Sequence, residues 1–144
     1  MITFKEFSST EEPHFGDAQG YDKYKGKDLA VVGTPHMLTA YYKLLGQKLG
    51  YHTDDMLCRR RIEEDGYSFT FMTFAGEDMR NLQLAFIKTE LEQAVGRARV
   101  LRCDCTVYVF SNYPCEQADL IEDRFLPDIQ EAEETEIEED AQII

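Results

Sequence analysis

The densest concentration of chemically useful side chains in this sequence is Gln93-Ala94-Val95-Gly96-Arg97-Ala98-Arg99. Its spacing predicts two guanidinium groups carried on a helix, a glutamine one turn before the first of them, and a glycine that lets another backbone come close. A guanidinium stays charged and offers planar, forked donors, so such a pair suits the charge that develops on a γ-phosphate better than lysine would. Arg97, Arg99 and Arg102 also fit a solvated helix face pairing with Glu90 and Glu92.

Other reactive residue types are less well arranged. His36 follows Thr34-Pro35 as a helix-start residue, and no Ser or Cys is placed by sequence to make a catalytic pair with it. Cys58, Cys103, Cys105 and Cys115 lack the paired C-x₂₋₄-C spacing of a structural zinc site, and they are too few and irregular for a disulfide framework. The chain contains neither G-x-x-x-x-G-K-[ST] nor D-E-x-[DH], so a loop that cradles nucleotide phosphates and the Mg²⁺ carboxylates are missing.

These residues need elements to hold them. Residues 2–7, ITFKEF, alternate apolar and polar and predict a strand. A polar connection follows, punctuated by Pro13, Gly16, Gly20 and Gly26, with Phe15, Tyr21 and Tyr24 giving it something to pack. Leu29 to Gly33, LAVVG, is an apolar run of the kind found in strands buried on both faces. Met37 to Leu49 reads as a helix with Leu38, Tyr41, Tyr42, Leu45 and Leu49 on one face, stopped by Gly50. Residues 57–62 and 67–74 predict a hairpin across Glu64-Asp65-Gly66, because Tyr67, Phe69 and Phe71 alternate with polar residues. Glu77 to about Leu101 reads as one long helix, or one broken near Thr89, with a stripe of Leu82, Phe86, Leu91, Ala94, Val95 and Ala98. Thr106 to Phe110, TVYVF, is a further strand, and Gln117 to Leu126 a last helix. Strands and helices alternate around parallel-type strands with one hairpin inserted, which is an α/β layout.

At 144 residues and 43% hydrophobic content the chain has the size of one domain with one modest core. No apolar run approaches a membrane span and the first residues have no signal-peptide pattern, so the expectation is a soluble, cytoplasmic protein without a membrane partner. The net charge of −13 argues at first sight against nucleic acid. Its distribution reverses that argument: residues 116–144 hold 12 acidic side chains against the single basic Arg124, and the other 115 residues are close to neutral. Residues 127–144 are expected to be an acidic disordered tail.

The stretch 93–99 resembles motif VI of superfamily 2 helicases, in the Q-x-x-G-R-x-R form seen in Dicer-type helicases, innate-immune RNA sensors and some phage and mobile-element helicases. Gly20-Tyr21-Asp22 resembles the G-x-D of motif V. LAVVG after it and CTVYVF after the arginines stand where strands stand in that family's second lobe. The resemblance spans about residues 14–113. It implies a partial RecA-like (P-loop NTPase-like) C-terminal lobe over residues 1–126, with the motif V region at 14–33, an inserted hairpin at 57–74, and motif VI at 93–99. By position, Arg97 and Arg99 would be arginine fingers, a role generally worth about 10³ to 10⁵ in turnover. Gln93 and Gly96, with Gly20 and Asp22, would serve the nucleotide site and couple it to nucleic-acid contact, and Thr34 and His36 would lie near the lobe surface. ATP and Mg²⁺ would be held mainly by a first RecA-like lobe missing from this chain, which alone should lack ATPase activity. Many members of the family have the second arginine three residues after the first; that position is Val100, so Arg99 or Arg102 must stand in.

Two kinds of function follow. The resemblance implies a helicase half acting on nucleic acid, with DNA preferred because T-P-H after a buried strand is similar to phage and mobile-element replication helicases. The alternative is a non-enzymatic interaction module, a degenerate lobe that binds a partner protein through the aromatic hairpin and the acidic tail, or a remnant that folds without a partner.

Overall fold

The computed structural model describes residues 1–9, 12–17, 23–64 and 66–121. Gly20, Asp22 and the acidic tail 127–144 lie outside the described residues. Strand β1 (Leu29–Val32) is followed by helix α1 (Thr39–Lys48), a hairpin of β2 (Leu57–Glu64) and β3 (Tyr67–Phe74), helix α2 (Glu77–Gly96) and strand β4 (Val107–Phe110). β1 and β4 pair in parallel from Leu29↔Val107 to Val32↔Phe110. The N-terminus adds to the other edge of β1, where the Ile2 amide donates to the Ala30 carbonyl and Ile2 accepts from the Val32 amide, both at 2.9 Å. The result is a small α/β protein with a parallel sheet and an antiparallel hairpin.

The expected strand at 2–7 shrinks to bridges at Ile2 and Thr3 and then turns into a short 3-10 helix at Lys5–Phe7. Phe4 explains the departure, because its ring lies over Gly33, where a Cβ would collide with it. Gly33 also holds φ +112°, a backbone conformation open to glycine and strained for other residues.

The hairpin matches its sequence pattern. Eight residue pairs run from Leu57↔Phe74 to Glu64↔Tyr67, and Gly66 sits at φ +83° in the two-residue turn. Its inner face carries Ile62 and Phe71, both buried with Leu29, Val31, Ile87, Leu91 and Tyr113 in the main core. Phe69 and Phe71 meet the Tyr113 ring edge-on at 5.5 and 6.0 Å, which fixes the hairpin beside the carboxyl end of β4.

Helix α1 begins at Thr39, and it buries Tyr42 and Gly46 while Leu38, Tyr41 and Leu49 of the expected stripe stay exposed. The cause is the close approach at Gly46, whose missing side chain leaves room for Met79 of α2. Gly50, at φ +79°, ends this helix as expected.

Helix α2 is unbroken for 20 residues. Leu91, Ala94, Val95 and Ala98 of the predicted stripe are buried, whereas Leu82 and Phe86 are only partly buried and pack on a second cluster of Tyr42, Phe74 and Met79. In its first half the fully buried line is Met79, Gln83 and Ile87. The predicted extension to Leu101 does not form, and the predicted helix from Gln117 is replaced by turns and extended chain as far as Ile121, its remainder lying outside the described residues. Among the described residues, no helix is long and apolar enough to cross a membrane.

Candidate functional site

Arg97 and Arg99 stand in the turn that ends α2, not on a helical face. Arg97 is the C-cap residue, its amide donating to Ala94, and the chain then closes with the Ala98 amide on Val95 and the Arg99 amide on Gly96. Arg99 has φ +58°, the described non-glycine residue in the left-handed region, and its carbonyl accepts from the amides of Arg102 and Cys103 at 2.8 and 3.0 Å. A left-handed residue commonly ends a helix, but glycine or asparagine usually fills that place.

This turn is built against the segment that leads into β1. The Gly26 amide donates to the Ala98 carbonyl at 3.0 Å, and a Cβ on Gly26 would meet Cys103 Cβ at 3.5 Å. Tyr24 is buried in the core shared with Ala94 and Ala98. On the sheet side, the Asp28 carboxylate accepts from the Thr106 amide at 2.8 Å, tying the approach to β1 to the approach to β4. The arginines and the stretch after residue 22 therefore meet at the amino ends of the two parallel strands.

Arg97 and Arg99 are half-buried, and Arg102 is exposed. Among the described residues, Arg97 Nε is buried without a hydrogen-bond partner. An N–H left that way costs about 1–3 kcal/mol, and native proteins keep few of them. One oxygen of the Glu90 carboxylate accepts from the Gly16 amide at 3.0 Å. Gln93 is half-buried one turn before Arg97, while Gly96 is exposed and no described atom lies within 4 Å of where its Cβ would be. The close backbone approach expected at Gly96 is thus not made by the described part of this chain.

Cys105, beside the turn, is held as a thiol. Burial first, and then Cys103, Asp28 and Asp104, push the Cys105 thiol above its ordinary value. Its Sγ lies 3.4 Å from the Ala98 carbonyl, consistent with a donated S–H. No group of three or more His, Cys, Asp or Glu that could hold a metal stands among the described residues.

Thr34 and His36 lie at the opposite, carboxyl end of β1, a strand's length from the arginines. There Thr34 Oγ1 is 2.8 Å from Ser111 Oγ, accepts from the Asn112 amide at 3.1 Å and also meets the Asn112 side chain. These bonds brace the ends of β1 and β4 against each other. His36 precedes α1 and stacks on Phe71 with centroids 5.4 Å apart, and burial lowers its pKa below the ordinary 6.5. The expected site residues thus divide into a group at the amino end of the strands and a bracing group at the other end.

Sequence reading passed over two features. One is Gln83, buried with both polar atoms of its side chain hydrogen-bonded: its Oε1 accepts from Thr73 Oγ1 at 2.8 Å and from the Phe74 amide at 3.3 Å, and its Nε2 donates to the Met72 carbonyl at 3.2 Å. The other is the run Arg59-Arg60-Arg61 on β2, a plain basic signal in the sequence. No known protein family, curated protein or solved structure matches the chain.

Proposed function

We propose that this chain is the motif V to motif VI part of the second RecA-like lobe of a superfamily 2 helicase, with DNA as the preferred nucleic acid. In this reading ATP and Mg²⁺ are bound on a first lobe, and Arg97 and Arg99 reach across to the transferring phosphoryl group. The observation that carries it is Arg97: a guanidinium at the end of α2 whose buried Nε has no partner among the described residues, beside the segment that leads into β1. A permanently charged group left short of an acceptor is suited to an anion supplied from outside. The uncovered face of the parallel sheet also supports the reading, since Tyr108 and Phe110 of β4 are each 55% exposed and parallel sheets are ordinarily covered on both faces.

Arg97 would stabilise charge on the γ-phosphate, Arg99 would supply the second guanidinium, and Gln93 would join the nucleotide site to the lobe interface. Gly20 and Asp22 would couple that site to nucleic acid. The chain alone should not hydrolyse ATP.

The test is ATP turnover in a mixture of this chain with a candidate first lobe, with and without single-stranded DNA. Turnover is expected only in the mixture, and Arg97→Ala should lower it by about 10³-fold or more. A silent wild-type mixture, or a variant that matches wild type, would sink the assignment.

A further inference from the structure

The hairpin holds a second set of arginines, remote from Arg97. Arg59 and Arg61 share the outer face of β2 with Leu57 and Glu63, opposite Met72 and Thr70 of β3. Strand geometry sets the two arginines about 7 Å apart along that face. Arg61 Nε donates across the ribbon to Ser68 Oγ, which lays its guanidinium over the outer face. Arg60 points from the other face and reaches the Ala75 carbonyl at 3.4 Å, where Arg80 of α2 also donates at 3.2 Å. Two guanidiniums thus converge on one carbonyl oxygen.

Acidic side chains are not scarce in this protein, which has 28 of them against 15 Lys and Arg. Several flank the hairpin, namely Glu63 on the outer face, Asp54 and Asp55 before β2, and Glu77 and Asp78 at the start of α2. Nevertheless, among the described residues none of Arg59, Arg60, Arg61 and Arg80 has a carboxylate within 4.0 Å. Arginines held side by side and left unpaired among so many acids form a surface whose charge is not answered within the described structure. It lies at the hairpin, beside the carboxyl ends of β1 and β4, so it cannot serve the phosphoryl group assigned to Arg97.

We infer that the arginine-rich waist of the hairpin binds the phosphate backbone of a single-stranded nucleic acid, with Arg59 and Arg61 taking successive contacts on the outer face and Arg60 and Arg80 a further one at Ala75. The choice of nucleic acid among polyanions rests on the function proposed above, while the surface itself does not. Guanidinium forks match phosphate oxygens, and periodic placement on an extended ribbon matches a repeating anion better than an isolated one.

The test is fluorescence anisotropy of a labelled 20-nucleotide oligo-dT titrated with the whole chain at several salt concentrations. Wild type should bind at low salt and weaken steeply as salt rises. The double variant Arg59→Ala with Arg61→Ala, both exposed positions, should bind at least about tenfold more weakly. Its log K against log salt should be shallower by about 1.4, because each lost contact to a single strand removes about 0.7. An unchanged slope in the double variant would overturn the inference, as would displacement of the oligonucleotide by poly-glutamate of equal charge at equal concentration. The two assignments fail separately: Arg97→Ala should abolish turnover with a first lobe and leave oligo-dT binding intact. The Arg59/Arg61 variant should weaken binding and leave nucleic-acid-independent turnover intact.

Discussion

The two ends of α2 are built on opposite principles. Near its start, Gln83 is buried and every polar atom of its amide group is bonded to β3. At its finish, Arg97 Nε is buried with no hydrogen-bond partner among the described residues, and Arg99 holds a backbone conformation unfavourable to its side chain. Among the described residues, the same helix is therefore satisfied where it carries the hairpin and left short at Arg97. Natural sequences break local rules of this kind chiefly at functional sites, so the contrast itself separates scaffold from candidate site.

The contrast can be attacked from either end. Arg97→Ala should have the largest effect on function, the loss of turnover in the two-lobe mixture, and yet not lower the unfolding free energy, because it removes a buried N–H whose lack of a partner costs about 1–3 kcal/mol. A melting curve run beside the turnover assay checks both halves. Gln83→Ala should do the reverse, costing about 1–3 kcal/mol because Thr73 and the Phe74 amide lose their acceptor and the Met72 carbonyl its donor. Urea unfolding would read that loss, and a variant as stable as wild type would show that Gln83 does not clamp the hairpin.

A smaller effect is expected at Arg99. Arg99→Gly relieves a positive φ at a cost-free residue type and should stabilise the fold by about 0.5 kcal/mol while lowering turnover. Smallest is the pH response of His36. Burial holds its pKa below 6.5 in the folded protein, so the unfolded chain takes up the proton first as pH falls. Its contribution to stability is complete above about pH 6.5 and is lost as pH falls through the folded value. Melting temperatures of wild type and His36→Gln, compared between pH 7.5 and 5, should diverge in that direction.

The legible parts of the fold were those where one period dominates. The alternation of Tyr67, Phe69 and Phe71 with a glycine turn marks the hairpin, and the β-branched runs at 29–32 and 107–110 mark two parallel neighbours. The face of α1 was not legible, because the close approach that decides it depends on Gly46 meeting Met79, a contact between distant residues. Gln83 was hidden for a similar reason: a glutamine within a helix is read as solvent-facing unless the partners that satisfy it are known. At the candidate site the identity of the arginines was plain from spacing, but their setting was not. Nothing local predicts that Arg99 takes the left-handed position that ends the helix at Gly96 instead of Leu101. Residues 18–22, where Gly20 and Asp22 fall, lie outside the described residues.

An unbroken 20-residue helix is also a rod about 30 Å long. Clamped through Gln83 in its second turn and carrying Arg97 at its finish, it is a rigid link between the hairpin and the arginine turn. A tilt of about 3° about Gln83 would move Arg97, roughly 21 Å further along, by about 1 Å. Displacements of that size can change a reaction rate by about 100-fold when the moving group must meet a phosphoryl oxygen. Because Ile87, Leu91 and Ala94 pack in one core with Leu29 and Val31, any tilt that reached Arg97 would have to move β1 as well.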